Sequence, residues 1–377
     1  MSWTRKPLIH VADLCLGKML DEKKNKGDLM PYLANLNVRW GSFDLDDLRE
    51  MRFEAHEMDR YGLRYGDIVM CEGGEPGRCA VWKGVVPGMM IQKALHRIRP
   101  RADLDYRFLF YALLEKGRTG AFSVLFTGST IKHLTAQNLA KIEISYPPRL
   151  EQESIAEMLS AYDDLIENNC RRIALLEESA HLLYREWFVH LRFPEHEHVK
   201  VVDGVPEGWG GRVLGDLLTL QRGFDLPASQ RMDGAYPIYA ATGIHGYHNK
   251  AMADGPGVVT GRSGSLGSVL YSSVDFWPLN TTLWVKEFKA VSPEYAYFLL
   301  QSLDLEQLNG GAAVPTLNRN DVHRIAVLWP PNTLMDEFTG VVLVQLQQID
   351  RLSRFNEKLR GARDLLLPRL MSGEIQV

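Results

Sequence analysis

Cysteine is scarce and scattered: Cys15, Cys71, Cys79 and Cys170 are the four in 377 residues. They are too few for a disulfide framework, and their spacing suits no paired zinc knuckle. Long apolar runs are missing as well, and nothing approaches the roughly 18 unbroken apolar residues of a membrane span. The start, MSWTRKPLIHVADLCLGK, carries an acid among its apolar residues and no small-residue cleavage site. It does not read as a signal peptide, and a cytoplasmic location is expected. No phosphate loop ending in Gly-Lys-Ser/Thr occurs. Adenine methylation needs an Asn/Asp-Pro-Pro-aromatic element to grip the flipped base. The nearest strings, Tyr146-Pro147-Pro148 and Trp329-Pro330-Pro331-Asn332, have the wrong order.

An excess of positive charge is also lacking, because the net charge is −4. By segment the balance is +5 over residues 1–150, −7 over 151–204, −2 over 205–335 and zero over 336–377. A nucleic-acid-binding face must therefore be a local patch, or be supplemented by a partner. Apolar residues at 45% and charged residues at 24% are ordinary for a globular chain, and the length suits two or three domains.

What is present is a repeat. Ile68-Val69-Met70 leads into EGGEPGR, and Val258-Val259-Thr260 leads into GRSGSLG. Gly74 and Gly77 share their spacing with Gly264 and Gly267, 190 positions on. Tyr106 to Phe110 parallels Tyr295 to Leu299, and GSTIKHLTAQNLAKIEISYPP parallels AAVPTLNRNDVHRIAVLWPP. Each string ends in a double proline, which neither a helix nor a central strand continues, so each pair closes a structural unit.

After the first pair, Tyr162, Ile166, Asn169, Ile173, Leu176, Ala180, Leu183 and Trp187 recur at alternating steps of four and three. After the second, Ile349, Leu352, Asn356, Leu359 and Leu366 keep that phase. This is the seam of a coiled coil, with Asn169 and Asn356 suited to fixing register. Helices from about 150 to 190 and from about 334 to 367 would be about 60 and 50 Å long. The expected fold class is α+β: two globular domains, each followed by a long helix, with the helices paired antiparallel and the globules at opposite ends. The expected boundaries are 1–148, a helix over 149–191, a polar connector over 192–211, a second globule over 212–331, and a helix and tail over 332–377. Within each globule, short β-rich runs alternate with glycine turns, and the aromatic stretch near 106–114 has helical spacing.

Glycine permits positive φ and close backbone approach, so such a turn can lie against a phosphate or a base edge. Arg78 in the first loop and Arg262 in the second, with Ser263 beside it, place a guanidinium at matching places in both halves. Arginine bonds bidentately to guanine or to phosphate. A tight hairpin with an exposed arginine is the plain structural alternative. Further candidates for DNA contact are Lys23, Lys24 and Lys26 in a basic stretch, Gln221 and Arg222, and His245, His248 and Lys250 among aromatics. Asp275, Glu287 and Lys289 loosely match the carboxylates and lysine of many nucleases, although surface charge explains so short a pattern. His196-Glu197-His198 lies in a polar linker without a third metal ligand. No catalytic or metal residue is assigned.

Two globules of this size, each followed by a long helix, resemble the specificity subunit of type I restriction–modification systems. LEQESIAEMLSAYDDLIENNCRRIALLEE followed by LLYREWF is similar to that family's central spacer helix, and RDLLLPRLMSGEI to its distal helix and tail. KMLDEKKNKGDLMPYLANLNVRW with GDIVMCEGGEPGRCAVW, and YPIYAATGIHGYH with GPGVVTGRSGSLGSV, resemble two of its target-recognition domain types. The resemblance implies a non-catalytic reader of double-stranded DNA. Each domain would read half of a split asymmetric target, and the helices would set the gap. It also implies two modification subunits carrying S-adenosylmethionine, and restriction subunits using ATP and magnesium, with no cofactor on this chain. The low charge of the second globule implies that partner cations do much of the phosphate work. Two rival readings are a coiled-coil scaffold with ligand- or protein-binding globules, and a self-contained nuclease using Asp275, Glu287 and Lys289.

Overall fold

The computed structural model describes residues 3–21, 25–128, 130–308 and 316–377, which divide into two compact units. The first comprises Met1–Glu167 with Asn356–Val377, and the second Asn168–Phe355.

In the first unit a four-stranded antiparallel sheet has the order Ala12–Leu16, Leu95–Pro100, Ile68–Cys71, Cys79–Val81. A three-stranded sheet places Asp28–Leu33 between Arg49–Phe53, antiparallel, and Met90–Ile91, parallel. Thr4–Pro7 pairs with Glu143–Tyr146. Helix Tyr106–Arg118 starts where the Asp105 carboxylate accepts from the Arg107 and Phe108 N–H groups, and it buries Leu109, Phe110 and Leu113.

The second unit repeats this plan strand for strand. Its four-stranded sheet runs Leu218–Arg222, Thr282–Phe288, Gly257–Gly261, Val269–Ser272. Its three-stranded sheet sets Tyr236–Ala240 between Gly243–His248, antiparallel, and Trp277–Pro278, parallel. Gly210–Val213 pairs with Ala326–Trp329. Helix Pro293–Ser302 is capped by Ser292 and has proline in its first turn, where the missing N–H costs no bond. The central strand Gly257–Gly261 is wholly buried, as its apolar run requires.

Each double proline ends an edge strand and begins a long helix. The Pro148 carbonyl accepts from Glu151 and Gln152, and the Pro331 carbonyl accepts from Leu334 and Met335. The central helix is Arg149–Tyr184, continued by one wide π turn over Arg185–Val189. The distal helix is Asn332–Met371, a turn longer than periodicity suggested, since Pro368 removes one N–H without stopping the final turn. In the first unit Arg363 of the distal helix pairs with Asp163 of the central helix, and Leu367 and Leu370 join Ile155, Ala156 and Leu159 in one core. In the second unit Ser179 meets Gln345 and the Tyr184 ring meets Phe338, so one helix ascends as the other descends. The seam residues Ile166, Asn169, Leu352 and Asn356 are buried, and Tyr162, Ile173, Leu176, Leu183, Ile349, Leu359 and Leu366 are half-buried.

The connector is better anchored than its polar sequence implied. Phe193 is buried and stacks near Trp209, their centroids 5.4 Å apart, which ties both ends of the segment to the second unit's core.

Candidate nucleic-acid interface

The glycine loops sit at the same end of each four-stranded sheet. Gly74 and Gly77 have φ of +75° and +93°, and Gly264 and Gly267 have +87° and +81°, the left-handed region that glycine enters freely. A Cβ on Gly77 would meet the Phe122 ring at 2.5 Å, so the turn also needs the missing side chain for packing.

Backbone hydrogen bonds set the equivalence of the two loops. In the first unit the Leu134 N–H donates to the Glu72 carbonyl, the Glu72 N–H to Ala94, and the Cys71 N–H to Arg78. In the second, Leu317 donates to Arg262, Arg262 to Thr281, and Gly261 to Ser268. Residue 72 therefore matches residue 262, and residue 78 matches 268. Arg78 and Arg262 are not counterparts, contrary to the expectation from the glycine strings.

The two arginines accordingly do different work. Arg78 donates to the Asn35 carbonyl at 3.0 Å and pairs with Glu75 at 2.9 Å, bracing its own loop. The Ser268 hydroxyl does the same in the second unit, donating to the Ala241 carbonyl at 2.6 Å. Arg262 makes no ion pair among the described residues. With Arg222, Thr316, Leu317, Asn318 and Arg319 it lines a cavity of about 470 Å³. Arg222 ends its strand opposite Leu283, and Arg319 follows the cap residue Asn318. Neither forms an ion pair among the described residues, so three arginines without an acidic partner line one recess. Arginines so placed suit a ligand rich in hydrogen-bond acceptors.

Other candidates separate. Ser263 is held through its N–H to the Thr281 carbonyl, beside Arg262. Gln221 is half-buried opposite Trp284. His245 is exposed and lies 2.7 Å from the Thr242 hydroxyl, and Lys250 and Lys26 are exposed. Lys23 and Lys24 lie outside the described residues. His248 is 4% exposed, packs edge-on against Trp277 and accepts from the Met232 N–H at 3.1 Å. It packs into its hairpin rather than standing at the surface, because it closes the strand's end against Trp277 and Met232.

Sequence reading missed Glu72 and Arg319. Both stood in the repeat strings: Arg319 directly after a cap-forming Asn, and Glu72 at the head of EGGEPGR, where the 190-residue offset of the glycines sets it against Arg262. The nuclease-like trio is dispersed in use: Asp275 accepts from the Gly255 N–H, Glu287 from the Thr219 hydroxyl, and Lys289 donates to the Gly215 carbonyl. His196 turns back to the Phe193 carbonyl. Among the described residues the one group spaced for a metal is Glu54, His56 and Glu57, and Glu57 is already paired with Lys18 at 2.5 Å.

His96 supports the first loop from below. It is 1% exposed and lies 2.8 Å from the Leu134 carbonyl, and burial pushes its imidazole below the usual range. The neutral ring is favoured in the folded state, so its contribution is complete above about pH 6.5. Below that, the unfolded chain takes up a proton that the folded chain does not. We expect stability to decline as pH falls from about 6.5 towards 5, with a shallower decline in His96→Gln. Denaturant midpoints measured across that range check this, and parallel slopes for the two proteins would contradict it.

Two copies of one α+β unit, each presenting a glycine-turned loop edge and each rooted on long helices, define a duplicated nucleic-acid-reading protein. The family model described as "Type I restriction modification DNA specificity domain" matches residues 58–178 and 206–360. The chain belongs to this family, and it is the sequence-recognising, non-catalytic subunit of such a system. It is 25% identical over 343 residues to the type I restriction enzyme MjaIX specificity subunit of Methanocaldococcus jannaschii, covering 83% of this chain and 78% of that one. It is 22% identical to the HindI specificity subunit of Haemophilus influenzae, covering 93% of each. The crystal structure of a type I S subunit from M. genitalium shares the fold, with a TM-score of 0.61, 19% identity, and coverage of 98% and 96%. No helix among the described residues is long and apolar enough to cross a membrane.

Proposed function

We propose that this chain reads a split, asymmetric double-stranded DNA target, one half-site per unit, while its helices set the gap between them. The observation that supports this best is the contrast between an identical backbone plan and different side chains at the loop edge. A repeat kept only for folding has no need to vary there, whereas two half-sites do. The recognition segments are taken as 1–148 and 212–331, joined through helices over 149–191 and 332–377 and a connector over 192–211.

Two modification subunits would dock on the helices and bring S-adenosylmethionine and the adenine-methylating site. Restriction subunits using ATP and magnesium would join the same assembly, which works in the cytoplasm. The test is single-molecule sequencing of methylated adenines in a host lacking its own systems, with the chain and its neighbouring modification subunit expressed together. A split motif that depends on this chain is the expected result. No new methylation, despite a stable complex with an active partner, would favour the scaffold alternative.

The spacer role carries its own prediction. Seven residues inserted between 165 and 180, matched by seven between 345 and 363, lengthen the paired segment by about 10 Å. At about 3.4 Å per base pair the permitted gap should grow by about three base pairs. An unchanged gap in the methylated motif would rule out the ruler.

A further inference from the structure

The loop equivalence places opposite charges at one position of one fold. Glu72 in the first unit and Arg262 in the second carry the same backbone hydrogen bonds, and both side chains are half-buried. Neither forms an ion pair among the described residues. We propose that this position determines sequence specificity: Arg262 reads the O6 and N7 edge of a guanine, and Glu72 accepts from the exposed amino group of a cytosine or adenine. The proposal deepens the reading of one half-site per unit and rests on it.

An uncompensated, half-buried charge is costly and is retained where a partner supplies its complement. Duplex DNA offers two complements, the backbone and the base edges. The backbone is the same in both half-sites, and it repels a carboxylate. A position built for phosphate would therefore carry the same sign in both units. Base edges differ, and the chemistry of this pair matches them: a guanidinium suits the two acceptors of guanine, and a carboxylate suits an amino donor.

The surroundings change together with the charge. Beside Arg262, Arg222 and Arg319 line the cavity together with Leu283 and Leu317. The strand partners put Leu16 in the place of Arg222, and Ala136, after the cap residue Thr135, takes the place of Arg319. The second unit thus has two further arginines around its loop position where the first has Leu16 and Ala136.

The experiment uses the full chain in complex with its modification subunit, and compares wild type, Arg262→Gln and Glu72→Gln by mapping methylated adenines. Arg262→Gln should relax selection at one guanine in one half-site and leave the other half-site intact. Glu72→Gln should do the reverse, and the intact half-site in each variant shows that the chain is folded. Duplex carrying 7-deazaguanine at that guanine lacks the N7 acceptor, and wild-type binding should fall about 10- to 100-fold, the range of a bidentate arginine–guanine pair. Binding by Arg262→Gln should be insensitive to that change.

A uniform loss of affinity across sequences would make Arg262 a phosphate contact and overturn the assignment. So would an unaltered motif in either variant, or a second half-site without guanine. If wild type itself yields no split motif, the reading of one half-site per unit fails. If wild type yields one and the variants keep it, only the present assignment fails.

Discussion

Replacing Phe338 with alanine should destabilise the second unit by about 3–5 kcal/mol, the cost of emptying a fully enclosed aromatic site. Phe338 is 0% exposed and lies near the root of the distal helix. Ring centroids surround it at 5.1 Å (Phe188), 5.5 Å (Phe298), 5.7 Å (Tyr184), 6.0 Å (Trp187) and 6.2 Å (Tyr295). Most meet it near right angles, the arrangement that sets a positive ring edge against a negative face. Such a cluster cannot collapse around a methyl group, because its members come from three separate helical segments. At about 2–4 °C per kcal/mol, the melting of this unit should drop by roughly 10 °C. Calorimetry of the intact chain should show this drop for one transition and leave the other in place. A loss below about 1 kcal/mol would show that the rings relax, and that the helix is rooted elsewhere.

Arg363→Ala should destabilise the first unit as well, for an electrostatic reason. The guanidinium is 11% exposed and bonds Asp163 and, at 2.8 Å, Asp364. Asp163 also accepts from the Tyr111 hydroxyl at 2.7 Å, and Arg118 pairs with Asp364. Burial opposes the charge on Arg363, yet the two carboxylates hold its pKa above the ordinary value. Burial, reinforced by Asp163, pushes the Tyr111 hydroxyl well above its own range. Removing the arginine leaves Asp163 without its cation, while Asp364 keeps Arg118. Breaking a buried pair typically costs about 3–5 kcal/mol, and the partial exposure of Asp163 puts the expected loss at about the lower end of that range. The double variant Asp163→Asn with Arg363→Gln should recover part of that, because the penalty lies in the stranded charge. Urea midpoints for the single and double variants decide the matter, and equal midpoints would show that the network is solvent-screened.

The frame was legible in the sequence to the extent that glycine spacing, double prolines and heptad steps carry backbone information. Gly74 and Gly77 against Gly264 and Gly267 located the duplicated turn, because positive φ leaves few alternatives to glycine. Pro147-Pro148 and Pro330-Pro331 located both helix starts. Side-chain direction was less legible. Arg78 and Arg262 looked equivalent because each lies beside the glycines, although the 190-residue offset of those glycines sets Arg78 against Ser268, and the ladder bonds agree with the offset. His248 was misread because it is the one buried residue of an otherwise exposed strand, held at the strand's end by Trp277 and Met232, contacts that no alternation predicts. Arg319 was overlooked because it joins Arg222 and Arg262 through folding across roughly 60 to 100 residues, a distance no local pattern spans.

The hydrogen bonds that hold residues 72 and 262 come from main-chain atoms alone. The fold therefore makes no demand on what side chain stands there. Glutamate and arginine already occupy the two copies at no expense to the ladder. A socket of this kind separates inheritance of shape from inheritance of meaning. If the occupant reads a base, as proposed above, its exchange would alter which sequence is recognised and leave the main-chain ladder with nothing to repair.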